Sequence, residues 1–181
     1  MDKKKRRLVI RISLLSIFTF LIGYVLYTNI TNSNSGMIQA GDQAPDFQLE
    51  TLKGETVKLS DFKGQGIFLN FWATYCPPCK EEMPYMQNQY EEFKDKGVTI
   101  LAIDVGEPKV TVDKFAKRYG LTFPILLDQN QEVLDSYGVG PIPVTFLIDE
   151  DGKVVERVTA SLSEEIIKNY MNSIMPEKYQ E

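Results

Sequence analysis

Cys76 and Cys79 are the side chains of this chain best suited to chemistry, and they are the only two cysteines among 181 residues. An apolar run at 66–72, rich in strand-forming residues, precedes them, and a helical pattern begins at Pro77. The first turn of a helix brings two cysteines with this spacing close enough to form a disulfide. The pattern therefore predicts reversible thiol–disulfide chemistry at a strand-to-helix junction.

The two thiols are expected to have different roles. The N-terminus of a helix favours anions, so the Cys76 thiolate is stabilised and becomes the attacking group. Cys79 lies one turn inside the helix and resolves the mixed disulfide. A structural clip or half of a metal site is the alternative for an isolated C-x-x-C. Trp72 upstream, Pro78 before the second cysteine, and the flanking strand and helix argue against that alternative.

Glu82 is the third candidate catalytic residue. It follows Cys79 by three residues, so the two side chains share one face of the helix. A carboxylate beside a buried thiol raises the thiol pKa and is itself shifted upward. Glu82 is thus expected to deprotonate Cys79 during exchange. The alternative is a solvated surface glutamate, which is what we expect of neighbouring Glu81.

Composition excludes several other kinds of site. The chain contains no histidine, which removes histidine acid–base catalysis and histidine metal sites. Two cysteines are a poor zinc set, since structural zinc needs four ligands, so neither a metal nor a cofactor is expected. Six of the 20 basic and one of the 25 acidic residues fall in the first 30 positions, which leaves residues 31–181 with a net charge of −10. Such an acidic body argues against nucleic acid as a partner and hints at basic substrates.

The N-terminus carries a membrane signal. A basic cluster at 3–7 precedes 12–30, a stretch without charged side chains that spans roughly 27 Å as a helix, close to the ~30 Å hydrocarbon core. The positive-inside rule places 1–11 in the cytoplasm and the body outside. We therefore expect a cell-membrane anchor at 12–30, a linker at 31–36 and an extracytoplasmic domain at 37–181. A cleaved signal peptide, with small residues at 33–35, is the alternative.

Hydrophobic periodicity predicts alternating strands and helices, followed by a C-terminal hairpin and helix. The predicted strands are 47–49, 56–59, 66–72, 98–104, 123–127, 144–149 and 153–158, and the predicted helices are 77–94, 110–119, 129–137 and 163–175. Ser161 with Glu164 is the candidate cap of the last helix, and the tail from Pro176 is expected to be loose. These elements predict an α/β fold with a mixed central sheet covered by helices on both faces.

Several segments together resemble one family. They are 41–47, 71–79, 82–84, 119–124, and 137–139 with 145–149. Over about 37–176 the chain resembles the membrane-anchored, thioredoxin-like reductases of the ResA/TlpA/StoA group, and its anchor fits the Gram-positive members. The resemblance implies a thioredoxin-like fold with an N-terminal β-hairpin and a helix–strand insert at about 108–127.

The same resemblance implies roles for individual residues. Pro143 corresponds to a cis-proline that faces the cysteines, and the backbone of Ile142 pairs with the substrate. The surface that binds substrate is expected to include Trp72, Pro77 and Pro78. Glu82 matches the active-site glutamate of ResA proteins. Thioredoxins carry a buried aspartate six residues before the first cysteine, where this chain has Asn70, so Glu82 replaces it as the nearby carboxylate.

The resemblance also implies a function and partners. ResA-like proteins reduce the haem-binding Cys-x-x-Cys-His disulfide of apocytochrome c with electrons from a CcdA-type membrane carrier, and we expect a monomer. Pro77-Pro78 departs from the Glu-Pro or Lys-Pro typical of ResA, although loss of the Pro77 N–H near the Cys76 sulfur favours a reducing role. StoA, a related reductase that serves spore cortex synthesis, is the alternative.

Three rival functions use other chemistry. A disulfide oxidase or isomerase would share the fold, but no histidine lies between the cysteines to stabilise a thiolate. A thiol peroxidase shares the Ala-Pro-Asp-Phe segment at 44–47, yet its Thr-x-x-Cys does not fit Thr74-Tyr75-Cys76. A copper-binding module needs histidine or methionine ligands, and Met83 and Met86 are expected in the core.

Overall fold

The computed structural model describes residues 11–24 and 36–179, which fall into two compact units, Met1–Gly36 and Met37–Glu181. In the first unit, residues 11–24 form a helix, α1, with exposed apolar side chains. Within the described residues, no helix is both long and apolar enough to cross a membrane. The last part of the predicted anchor, 25–30, lies outside the described residues. The segment 1–10 and most of the predicted linker lie outside them too. The anchor therefore stays a prediction.

Seven strands of the second unit form one mixed sheet in the order β2-β1-β5-β4-β3-β6-β7. The strands are β1 (Gln48–Thr51), β2 (Thr56–Lys58), β3 (Gly66–Trp72), β4 (Val98–Val105), β5 (Ile125–Asp128), β6 (Val144–Ile148) and β7 (Val154–Val158). Strands β3, β4 and β5 are parallel to one another, and every other pairing is antiparallel. The predicted mixed sheet and N-terminal hairpin are confirmed.

Helices cover both faces of the sheet. They are α2 (Pro77–Phe93), α3 (Lys109–Tyr119), α4 (Glu132–Ser136) and α5 (Glu164–Ser173), with short 3-10 turns at Leu59–Phe62 and Glu177–Tyr179. Buried side chains of α2, α3 and α5 pack on one face. The other face is covered by α4, by the chain before β1 and by the first 3-10 turn. Helix α3 and strand β5 form the insert that was expected at about 108–127.

Strands β3 and β4 form the centre of the sheet, and all their residues are buried. This burial explains their continuous apolar runs, because a central parallel strand is covered on both faces. The carboxyl ends of parallel strands meet at one edge of a sheet, where α/β proteins place their sites. The loop that follows β3 at this edge leads directly to Cys76.

Two predictions near the C-terminus are wrong. Ser163, not Ser161, caps α5: its hydroxyl accepts a hydrogen bond from Ile166 N at 3.4 Å, whereas the Ser161 hydroxyl donates to Pro78 O. The tail is also ordered as far as Tyr179, whose ring packs against Gly97. The missing Cβ of Gly97 provides the room that this ring needs, so the tail lies against the chain just before β4.

Candidate active site

The cysteine pair lies at the first turn of α2 and forms a disulfide. The Sγ–Sγ distance is 2.06 Å and the Cα–Cα distance is 5.3 Å. Cys76 is the N-cap residue, and its Sγ accepts a hydrogen bond from Cys79 N at 3.3 Å. Pro77 occupies the first helical position, where a missing N–H costs no intrahelical hydrogen bond. The local sequence therefore begins the helix and joins the two sulfurs in the same turn.

The two sulfurs differ in accessibility. Cys76 is 6% exposed and Cys79 is fully buried. Beside them, Pro77 is exposed, Pro78 is half-buried, and Tyr75 is 65% exposed. The slightly more exposed cysteine is therefore the one assigned to attack, and the two prolines beside it have exposed surface. Tyr75 was not singled out from the sequence, although an aromatic residue directly before the first cysteine was a usable signal.

Glu82 lies on the buried face of α2 and is only 1% exposed. Its Oε1 accepts a hydrogen bond from Asn70 Nδ2 at 3.2 Å, and its Oε2 accepts one from Leu162 N at 3.0 Å. Burial raises the pKa of Glu82 to about 7, and these two hydrogen bonds oppose part of the rise. The surface alternative considered for Glu82 is wrong, whereas Glu81 is exposed as expected.

Asn70 connects the carboxyl group to the sheet. The same Asn70 Nδ2 donates to Thr145 Oγ1 of β6 at 3.0 Å, so one amide holds Glu82 from the β3 side. Asn70 Oδ1 is buried and has no hydrogen-bond partner among the described residues. A neutral amide here leaves Glu82 as the buried group next to Cys79 that can carry a proton.

Ile142 and Pro143 approach the disulfide from the loop before β6. The peptide bond between them is cis, and Ile142 O lies 3.8 Å from Cys76 Sγ. The structure thus brings this backbone carbonyl next to the accessible sulfur, where the resemblance placed a docking strand. The docking role itself stays a prediction.

Trp72 requires a correction. It was expected on the substrate surface, but its side chain is fully buried and packs against Phe115 of α3, with the ring centroids 5.1 Å apart. Trp72 Nε1 has no hydrogen-bond partner among the described residues. Trp72 is the last residue of a central strand and is covered by α3. In the disulfide form it is therefore part of the core next to the active-site loop.

A second group of buried carboxyl groups lies beside the active-site loop and was missed from the sequence. Glu107 accepts hydrogen bonds from both Thr74 N and Thr74 Oγ1, the latter at 2.6 Å, and Asp104 Oδ1 accepts one from Glu107 N at 3.3 Å. Burial raises the pKa of Asp104 to about 8, and Glu107 adds to the rise through its side-chain hydrogen bond and its charge. An aspartate at the carboxyl end of a buried strand was the available signal. Glu107 thereby fixes the residue two positions before Cys76.

None of these carboxyl groups forms a metal site. Within residues 11–24 and 36–179, no group of three or more His, Cys, Asp or Glu side chains is arranged to hold a metal ion. The chemistry that the described residues offer is therefore exchange at the disulfide, with a buried acid beside it.

Comparison with known proteins agrees with this geometry. A model of the AhpC/TSA family matches residues 40–157. The thiol-disulfide oxidoreductase ResA of Bacillus subtilis (strain 168) is 50% identical over 174 residues, which cover 96% of this chain and 97% of that protein. The chain belongs to the ResA-type thiol–disulfide oxidoreductases of the AhpC/TSA family. Its enzyme class follows from that membership, and the Cys76–Cys79 disulfide agrees with it.

Solved structures show the same fold. The thioredoxin domain of a thiol-disulfide oxidoreductase from Bacteroides vulgatus superposes with a TM-score of 0.69 at 28% identity, over 76% of this chain and 99% of that one. The structure of StoA from Bacillus subtilis superposes with a TM-score of 0.63 at 31% identity, over 70% of this chain and 96% of that one. The predicted thioredoxin-like fold is confirmed.

Proposed function

We propose that this oxidoreductase works as an extracytoplasmic reductase and that its main substrate is the haem-binding Cys-x-x-Cys-His disulfide of apocytochrome c. The observation that carries the proposal is the buried Glu82, three residues after the buried Cys79, with a pKa near the ambient pH. A resolving thiol shielded from water needs such a base to form its thiolate. The choice of substrate rests on the resemblance to ResA proteins.

Reduction then proceeds in two exchanges. The Cys76 thiolate attacks one sulfur of the substrate disulfide, which breaks that bond, forms a mixed disulfide and releases the other substrate sulfur as a thiolate. Glu82 takes the proton from Cys79, whose thiolate attacks Cys76 Sγ and expels the second substrate thiolate. The substrate has gained two electrons, and Cys76–Cys79 has become the disulfide described above.

The oxidised enzyme must be reduced again before the next cycle. A membrane dithiol carrier of the CcdA type is the proposed donor: its thiolate attacks Cys76 Sγ, and its second thiol completes the transfer of two electrons. The active site is complete within one chain, since Cys76, Cys79 and Glu82 all come from α2 and its N-cap. This supports a monomer as the acting unit.

A cell-membrane location with the domain outside the cytoplasm is part of the proposal. The apolar stretch at 12–30 and the basic cluster at 3–7 support an anchor with a cytoplasmic N-terminus. Exposed apolar side chains along α1 agree with such a role. Resistance of the chain to carbonate extraction, together with an intact N-terminus by mass spectrometry, is expected; a mature chain that begins near Ser35 would instead indicate a cleaved signal peptide.

Spore cortex synthesis, the role attributed to StoA, is the second candidate. The structural similarity to StoA supports it, and the Pro77-Pro78 pair between the cysteines departs from the residues typical of ResA. Both candidates use the same exchange chemistry and differ only in the protein reduced. Deletion of the gene distinguishes them: loss of c-type cytochromes supports the first, and loss of spore cortex supports the second.

A single-turnover reaction tests the main proposal. The full chain in non-ionic detergent is reduced, freed of reductant and mixed with a disulfide-bonded Cys-x-x-Cys-His peptide, and the thiols released are measured. We expect the peptide to be reduced and the enzyme disulfide to form in equal amounts. Oxidation of the reduced peptide by the disulfide form, with no reaction in the opposite direction, would overturn the assignment as a reductase.

A further inference from the structure

A basic pocket lies directly beside the active-site loop. Its volume is about 290 Å³, and it lies between that loop, the first turn of α2 and helix α3. Thr74 and Lys80 line one side, and Lys114 and Arg118 of α3 line the other. No acidic side chain among the described residues contributes to its lining. Three cationic side chains therefore line one pocket next to the loop that carries the disulfide.

These cations have no partner in the described part of the chain. Lys80, Lys114 and Arg118 form neither an ion pair nor a side-chain hydrogen bond within residues 11–24 and 36–179, whereas Lys117 on the same helix pairs with Asp113 at 2.7 Å. Lys114 and Arg118 are also at least partly exposed. Residues 31–181 carry a net charge of −10, so this local excess of positive charge opposes the overall charge of the domain. The three cations thus favour an anion in this pocket, although the net charge of the domain is negative.

The position of the pocket relative to the sulfur suits a polypeptide. Lys80 directly follows Cys79, and Thr74 precedes Cys76 by two residues. An extended chain advances by about 3.3 Å per residue, so this pocket is within reach of residues a few positions from the cysteine attacked by Cys76. The stacked rings of Phe115 and Tyr119, with centroids 4.3 Å apart, form an apolar wall along the same path.

We propose that Lys80, Lys114 and Arg118 bind aspartate or glutamate side chains that lie within about four residues of the attacked cysteine of a protein substrate. This inference rests on the proposed function, since it specifies which protein disulfides the reductase prefers. The pocket adds no chemical step: it holds the substrate strand while Cys76 and Cys79 carry out the exchange. The preference runs against the overall charge of the domain, which alone suggests basic substrates.

Two disulfide peptides test the proposal. They share one Cys-x-x-Cys core and differ only in that flanking aspartates of one are asparagines in the other. The reduced full chain in detergent reacts with each peptide, and the second-order rate constants are compared. We expect roughly tenfold faster reduction of the acidic peptide at low salt, with the ratio falling as salt screens the charges. In the double variant Lys114→Gln/Arg118→Gln the ratio is expected to fall close to one.

The ratio is measured on one protein sample at a time, so partial misfolding of a variant cancels from it. Lys53→Gln/Lys153→Gln removes the same charge from exposed positions outside the pocket and is expected to keep the preference. Equal rates for the two peptides with the unmodified chain, or a preference that survives Lys114→Gln/Arg118→Gln, would overturn the inference alone. Failure to reduce either peptide would overturn the proposed function as well.

Anionic lipid headgroups carry the same chemistry and are a competing occupant. The full chain is therefore also reconstituted in phosphatidylcholine vesicles with and without phosphatidylglycerol. If Lys114→Gln/Arg118→Gln changes only the response to phosphatidylglycerol, with no peptide preference in detergent, the pocket faces lipid and the inference is wrong. A peptide preference that is present in detergent and unaffected by phosphatidylglycerol supports it.

Discussion

Glu82 follows Cys79 by three residues on α2, and both side chains are buried. One turn of helix therefore joins the resolving thiol to a carboxyl group whose pKa burial raises to about 7. Cys76 begins the helix as its N-cap, and Glu82 lies six residues further along the chain. This arrangement separates the site of attack from the site of proton transfer.

Glu82→Gln is expected to slow the resolving step while leaving the first attack by Cys76 nearly unchanged. The amide keeps the size of the side chain but cannot accept a proton, so about a 100-fold loss is expected near neutral pH. This step is measured as the decay rate of a preformed mixed disulfide, sampled by rapid quenching at a series of pH values. In the unmodified chain the rate should rise with a midpoint near pH 7, because the carboxylate form of Glu82 is the base.

The neighbouring Glu81→Gln is the control, since Glu81 is exposed and one residue away. It should retain both the rate and the midpoint. An unchanged pH profile in Glu82→Gln would remove Glu82 from the proton transfer.

Asp104→Asn is expected to flatten the dependence of stability on pH. The pKa of Asp104 is about 8 in the folded chain against a usual value of 3.8, so between these pH values the unfolded chain is ionised while the folded chain keeps its proton. Stability therefore falls as pH rises through this window and levels off above pH 8. The contribution is roughly 2–4 kcal/mol after allowance for relaxation of the buried site.

Urea unfolding at pH 5 and pH 8 measures that difference. Asp95→Asn, at an exposed position, should keep the full slope. Glu82 contributes with the same sign between its usual 4.5 and about 7, so a smaller slope is expected to remain in Asp104→Asn. A slope equal to that of the unmodified chain would show that Asp104 ionises normally in the folded state.

The two cysteine variants should fail in different ways. Cys76→Ala removes the accessible sulfur and is expected to abolish reduction and to form no adduct with a disulfide peptide. Cys79→Ala keeps the attacking thiol but lacks the resolving one, so a mixed disulfide should accumulate and appear in mass spectrometry as the chain plus one peptide. Normal turnover by Cys79→Ala would contradict this division of labour.

Gly66→Ala should strongly destabilise the fold. A Cβ at Gly66 would lie 2.0 Å from Ile174 O, a backbone atom that cannot move aside without shifting the end of α5. A loss of about 2–4 kcal/mol in the free energy of unfolding is expected from such overpacking. Gly140→Ala is the matched control, because no described atom lies within 4 Å of the position that its Cβ would take, and it should change stability little. Equal stability of the two variants would contradict the close approach of α5 to β3.

Local signals were sufficient to predict the framework of the site. The continuous apolar runs at β3 and β4 fix the centre of the sheet, and the helical pattern after Pro77 fixes the direction of α2. Cys76, Cys79 and Glu82 follow from spacing along that one helix. Contacts between residues far apart in the sequence could not be predicted in this way, because helix and strand periodicity relates only neighbouring residues.

Glu107 reaches Thr74 from 33 residues away, and Lys114 and Arg118 face the site only because α3 packs beside α2. Trp72 was predicted on the substrate surface but is buried, for the same reason: the helix that covers it comes from the insert. The α5 cap was also misplaced, by two residues, because Ser161 and Ser163 both precede an acidic first turn. Tertiary packing decided the positions of Trp72, Glu107 and the two basic residues, whereas the cap was an ambiguity of the local sequence.

The reduction potential of the Cys76–Cys79 pair tests the central claim most directly. The full chain in detergent is equilibrated with defined thiol redox buffers, and the fraction of disulfide is measured at each ratio. A reductase supplied by a membrane electron carrier should have a value near or below that of thioredoxin, about −270 mV. A value near about −120 mV, as in the strong oxidant DsbA, would mean that the protein makes disulfides and would contradict its assignment as a reductase.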